Sequence, residues 1–248
     1  MAPVPSSSEA KWNIAGKFGL PRGFPESMND IKLKRARTPA CCLPPSFYQS
    51  ILQRAWTILD VYREPLDQKR EAARLRTLDV FIVPLIGLFH GRIIDTSENK
   101  MPPTKLSTGG RIEHKIILVG QALFLVVELK IEIQSSCYSQ LFLEMLSAAE
   151  LNKEYQLGNL QVYGLLTDLT CFRFFAYDPA TKKFLLDERL NISSAKRLEW
   201  CTDMIQVSNK IFSILLYSYI NILQLEMCKE IKPGDDDQAC ILYYLFLV

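Results

Sequence analysis

The stretch GRIEHKIILVGQALFLVVELK, residues 110–130, decides the fold and poses the chemical question. Two runs of aliphatic residues flank Gly120-Gln121. A two-residue type II′ hairpin turn favours glycine at its first central position, so the turn is predicted there. Val119 then pairs with Ala122. Counting outward sets Glu113 opposite Glu128 and Arg111 opposite Lys130. Directly paired residues of an antiparallel ladder share a face, with Cβ atoms about 4.5–5.5 Å apart. Alternate residues share a face too, so Lys130 joins the two acids. The other face of the second strand reads Leu123, Leu125, Val127 and Leu129, a core-facing set. His114 falls opposite Glu113 and is not taken as a ligand.

Two carboxylates side by side on a sheet repel, and burial makes the repulsion worse. Three things would offset it: a proton on one carboxyl, neutralisation by Lys130 and Arg111, or a divalent cation between the acids. Mg²⁺ is typically held by one or two carboxylates together with waters and substrate phosphates.

Around the hairpin the chain reads as helix, helix, hairpin, helix, hairpin, helix. Phe47, Ile51, Leu52, Ala55, Ile58 and Leu59 have helical spacing over 45–62. Residues 67–89 read as a second helix, charged at first and then apolar, with a kink expected at Pro84. Gly, Pro, Ser and Asn make 91–110 a loop. Residues 135–154 form an amphipathic helix that Ser135 or Ser136 is able to cap. Its polar stripe, Gln140, Glu144 and Ser147, reads as solvent-facing. Strands are expected at 160–168, 170–178 and 182–190, and a long helix at about 195–226. The predicted fold is an α/β, three-layer-like sandwich with a central mixed sheet flanked by helices. Its domain is expected to span 46–228. A flexible basic, Pro- and Ser-rich leader would precede it over 1–45, and an apolar tail would follow over 229–248.

Composition narrows the function classes. Among 248 residues, 29 basic and 27 acidic side chains leave a formal charge of +2, so a polyanionic partner would have to be held by a local patch. Seven cysteines at irregular spacing, with no CxxC and only two histidines, argue against structural zinc and for reduced thiols. The first residues lack a secretory apolar region, and the apolar runs 80–89 and 240–248 are too short to span a bilayer. An intracellular chain is expected. The cluster KLKRAR, 32–37, is the kind that serves nuclear import or phosphate contact, or is simply solvated charge. There is no GxGxxG or GxxxxGK[ST], and two histidines leave no basis for a serine triad.

The run from GGRIEH through VVELK, QLFLEMLSAAELN, VYGLLTD and FRFFAYD resembles the PD-(D/E)xK superfamily of restriction-endonuclease-like nucleases, and within it a fungal group built on that core. The resemblance covers about residues 67–225. It implies a restriction-endonuclease-like core and Mg²⁺- or Mn²⁺-dependent hydrolysis of nucleic acid, DNA ahead of RNA. The first acidic position would be Glu113, and the acid and lysine of the motif Glu128 and Lys130. Glu113 and Glu128 would hold the metal. Gln140 would be the glutamine that follows the motif, with Gln134 the alternative. A helical acid before the hairpin would be Glu71, with Asp79 as competitor. Phosphate contacts would come from the loop 91–111 and from Lys69, Arg70, Arg74 and Arg76. There is no Pro-Asp pair, and the first acid is Glu where the superfamily usually has Asp. The same residues also admit a non-catalytic interaction or effector module that keeps the fold.

Overall fold

A computed structural model describes residues 8–20, 33–96, 101–107, 112–118, 122–193 and 196–230. In chain order these form α1 (Ser8–Ala15), β1 (Lys34–Arg35), α2 (Pro45–Tyr62), α3 (Glu71–Gly87), β2 (Ile93–Asp95), β3 (His114–Leu118), β4 (Leu123–Leu129), α4 (Ser135–Glu154), β5 (Val162–Thr167), β6 (Cys171–Asp178), β7 (Lys183–Asn191) and α5 (Arg197–Glu230). The strands make one mixed sheet in the order β1-β7-β6-β5-β4-β3-β2. β4 and β5 run parallel because α4 carries the chain back across the sheet, while β5, β6 and β7 follow as an antiparallel meander. Among the described residues, no helix is long and apolar enough to cross a membrane.

Two hydrophobic layers sandwich the sheet. One joins α2, α3 and α5 to the face carrying Leu125, Val127 and Leu129. The other joins α1 and α4 to the face carrying Val126, Val162 and Leu166. Every residue of β4 is therefore buried, which is why it reads as an almost unbroken apolar run. The α/β sandwich with a mixed central sheet is as expected.

Four local expectations change. The loop 91–110 contains the edge strand β2, whose three residues pair with β3. The helix α4 is capped by neither serine: Gln134 holds the N-cap, and its backbone N–H donates to the Cys137 sulfur at 3.5 Å. The leader is partly packed. Trp12 is 1% exposed, with its ring 6.0 Å from that of Phe142 on α4. Further on, Thr38 donates from both its N–H and its hydroxyl to Asp187, each at 2.8 Å, and Lys210 reaches the same carboxylate at 2.8 Å. The fourth change concerns Arg74, expected to face a phosphate. It is 4% exposed and donates to the carbonyls of Lys130, Ile131 and Asp168 at 3.3, 2.6 and 3.0 Å. It is a clip that holds the chain leaving β4 to the chain leaving β5.

α4 lies unusually close to the sheet at Gly164. A Cβ there would fall 2.5 Å from the Met145 sulfur and 3.2 Å from both Leu141 methyls. Gly164 pairs with Val126, two residues before Glu128 on the same face. The missing side chain lowers α4 onto the part of β4 that carries the charged pair.

Replacing Arg74 with Met should remove the donor from four backbone carbonyls, those of Lys130, Ile131 and Asp168 and, at 3.2 Å, that of Gln68. We expect a loss of on the order of 3 kcal/mol of stability in urea denaturation, since an unsatisfied buried polar group costs about 1–3 kcal/mol. A change below about 0.5 kcal/mol would contradict the clip.

Candidate functional site

The hairpin register carries the site. His114 pairs with Val127, Lys115 with Val126 and Ile116 with Leu125, the spacing that sets Glu113 beside Glu128. The ladder then shifts, and Ile117 pairs with Leu123. Phe124 is the extra residue on β4, so Leu123 turns to the α4 face and leaves the set expected with Leu125. A bulge of this kind bends its strand and strengthens the local twist. The turn expected at Gly120-Gln121 and the partner expected in Arg111 lie outside the described residues.

Lys130 stands between the two acids. Its Nζ is 2.8 Å from Glu128 Oε2 and 3.7 Å from Glu113 Oε1. Its backbone N–H donates to Thr167 O at 2.9 Å, which extends the β4–β5 ladder as far as the lysine. The Glu128 side chain is fully buried, while those of Glu113 and Lys130 are 17% and 18% exposed. Solvent therefore reaches the cluster on the Glu113–Lys130 side.

A fourth group comes from α4. Glu144 is buried and its carboxyl lies within hydrogen-bond reach of Glu128. Gln140, one turn earlier, donates its amide N–H to Glu144 Oε1 at 3.1 Å. Gln140 therefore touches the site through Glu144. The stripe expected to face solvent is largely covered: Glu144 and Ser147 are buried, and Thr104 from the preceding loop donates to the Ser147 hydroxyl at 3.3 Å. Residue-by-residue reading named Glu144 only as a surface charge. The available signal was the pairing of Gln140 and Glu144 at helical spacing behind a strand that carries buried charge.

The remaining candidates separate from the cluster. Gln134 is exposed and occupied in the cap of α4. Glu71 is exposed in the first turn of α3, where a carboxylate suits the helix dipole, and acts on the cluster only as a nearby charge on Lys130. Asp79 lies across the sheet with its Oδ1 3.3 Å from His114 Nε2, while His114 Nδ1 meets Asp95 Oδ2 at 2.6 Å. His114 is fully buried on the face opposite Glu113. Lys69 and Arg70 are exposed, whereas Arg76 donates to the Tyr62 hydroxyl at 2.8 Å and lies over its ring.

Three carboxyls against one ammonium would leave a net charge of −2 out of water, and proteins avoid this by holding protons. Burial, and then the charge of Glu128, raises Glu113 to about 7 against the pull of Lys130. Burial raises Glu144 to about 7 despite hydrogen bonds to Glu128 and Gln140. Glu128 is raised by burial first and by Glu144 second. Burial works against the Lys130 charge, but Glu128 and Glu113 outweigh it and the ammonium is held. Burial thus favours protons on the three carboxyls, while the same carboxyls favour the Lys130 ammonium.

The oxygens Glu113 Oε2, Glu128 Oε1 and Glu144 Oε2 are buried without a hydrogen-bond donor among the described residues. Carboxylate oxygens are the ligand type a hard divalent cation takes, one or two of them with waters. Among the described residues, no group of three or more His, Cys, Asp or Glu is placed to hold a metal ion together. Comparison with protein-family models, with curated proteins and with solved structures yields no match.

The raised carboxyls predict a pH dependence of stability. Between their unfolded values near 4.5 and about 7, the native state binds more protons than the unfolded chain. Stability of the protein in EDTA should therefore fall as pH rises through that window and level off above it. Urea denaturation from pH 4.5 to 8 checks this. Glu144→Gln should flatten the slope and raise stability at pH 8, and equal slopes would contradict the assignment.

Proposed function

We propose that this chain carries a divalent-metal-dependent phosphodiester hydrolase site for nucleic acid, of the PD-(D/E)xK kind. The observation that carries the reading is the meeting of Glu113 and Glu128 on one buried face with the Lys130 ammonium between them. An acid opening one strand, Glu-x-Lys closing the next, and a helix with a glutamine behind them are the features on which the resemblance rests.

Glu113 and Glu128 would hold Mg²⁺ or Mn²⁺. A bound ion there supplies a water acidic enough to attack at neutral pH and positive charge against the phosphate. Lys130 keeps its proton in this environment, so its part is that of a donor: it orients the attacking water or offsets charge growing on the phosphate oxygens. Gln140 steadies the acids by fixing Glu144. The exposed Lys69 and Arg70, at the start of α3, offer phosphate contacts that set affinity without reading sequence. DNA is the first substrate to test. Nuclear import through KLKRAR belongs to the same reading; Lys34 and Arg35 of that cluster are exposed on the edge strand β1.

A second reading is a non-catalytic interaction module on the same fold. It is favoured by the ion pair itself, because an ammonium that already answers two carboxylates is what a purely structural cluster would need.

Supercoiled plasmid separates the two. The purified chain should nick or linearise it in Mg²⁺ or Mn²⁺ and not in EDTA. Glu128→Ala and Lys130→Ala should each lower the rate about 100-fold or more, the scale seen when one group that stabilises transition-state charge is removed. A wild-type chain inert with both metals would favour the module.

A further inference from the structure

Glu144 is not explained by folding alone. It lies on a helix face that otherwise buries Leu141, Met145 and Ala148. It brings no cation of its own to that face, and its Oε2 has no donor among the described residues. A buried carboxyl of this sort costs stability, and a leucine or methionine would fill the volume without that cost. The position is therefore occupied for another reason.

Its surroundings form a chain. The Gln140 amide donates to Glu144 Oε1 at 3.1 Å. The Glu144 carboxyl meets that of Glu128. Glu128 Oε2 meets Lys130 Nζ at 2.8 Å, and Lys130 reaches on to Glu113. Every link lies on the α4 side of the hairpin. The close approach at Gly164 sets the height of α4 over the sheet, and helical spacing puts Gln140 and Glu144 on one face. The Glu128 side chain is fully buried, and the neighbours that act on it are Glu144 from α4 and Lys130.

We propose that Glu144 is a positioning residue: braced by Gln140, it fixes the Glu128 carboxyl in the orientation from which Glu128 and Glu113 hold a divalent cation. The assignment rests on the reading of Glu113 and Glu128 as the cation ligands. Glu144 acts through Glu128 by a hydrogen-bonding contact, and a side chain of the same shape that keeps this contact without charge serves as well. Outer partners of metal ligands typically govern affinity by about 10–100-fold, which sets the scale expected.

The test uses the full chain and Mn²⁺ as the probe, with binding read by electron paramagnetic resonance and folding by thermal unfolding. The wild type should bind Mn²⁺ at one site, and Glu128→Ala should abolish binding. Glu144→Leu should unfold no earlier than the wild type yet bind about 10-fold more weakly or worse, on the scale of outer-partner losses. Glu144→Gln should bind within about 3-fold of the wild type, well inside that scale. Gln140→Leu removes the brace without touching Glu144, and should weaken binding about 3- to 10-fold, at the low end of the same scale. Wild-type affinity in both Glu144→Leu and Gln140→Leu would overturn the positioning role while leaving the cation site standing. Glu144→Gln as weak as Glu144→Leu would overturn it too, because the charge and not the contact would then matter. A wild type that binds no Mn²⁺ would overturn both the role and the reading beneath it.

Discussion

The contact between Lys130 and Glu128 governs the arrangement of this molecule. A fully buried carboxyl at the end of β4 is stabilised by an ammonium beside it, and the lysine reaches it because alternate residues of an extended chain share a face. The pairing of His114 with Val127 then fixes where the next acid falls, since Glu113 directly precedes His114. Slipping that pairing by one residue would send Glu113 across the sheet to the side of Asp79 and Asp95, and would take from Lys130 one of the two carboxyls it meets.

The rest of the fold holds this contact in place from several directions. Arg74 ties the carbonyls after β4 to the end of β5, so the strand end bearing Lys130 does not fray. Gly164 lets α4 settle low enough for Glu144 to touch Glu128. On the far face His114 joins α3 and β2 through Asp79 and Asp95. Each device uses buried polar groups, which fix one arrangement where apolar packing alone would tolerate several. The cost is a cluster with more acid than base, and that surplus gives the cluster its raised carboxyls.

Much of this was legible in the chain. Helical spacing located α2 and α4, and apolar runs between turn residues located the hairpin and the three later strands, with β4 and β5 buried on both faces. The outer half of the hairpin register is the one expected, with His114 opposite Val127, although the turn from which it was counted lies outside the described residues. The inner half is not, since the bulge at Phe124 leaves no mark in an apolar run where either face is core. β2 was missed for a related reason: three residues at a sheet edge are too short to show alternation. Arg74 and Glu144 are the instructive cases. Charged residues on helices are read as solvated, and both are buried because of partners far away in sequence: backbone carbonyls for Arg74 and a strand carboxyl for Glu144. The packed part of the leader was hidden likewise, since Trp12 finds its place only against Phe142.

Carbon-13 spectra of the glutamate side-chain carboxyls at pH 7 test the central claim most directly, with Glu113, Glu128 and Glu144 assigned by substitution. In EDTA, resonances of Glu113 and Glu144 should sit midway between their protonated and ionised positions, and excess Mg²⁺ should drive those of Glu113 and Glu128 to the ionised form. Carboxyls already fully ionised in EDTA and unmoved by Mg²⁺ would contradict the account.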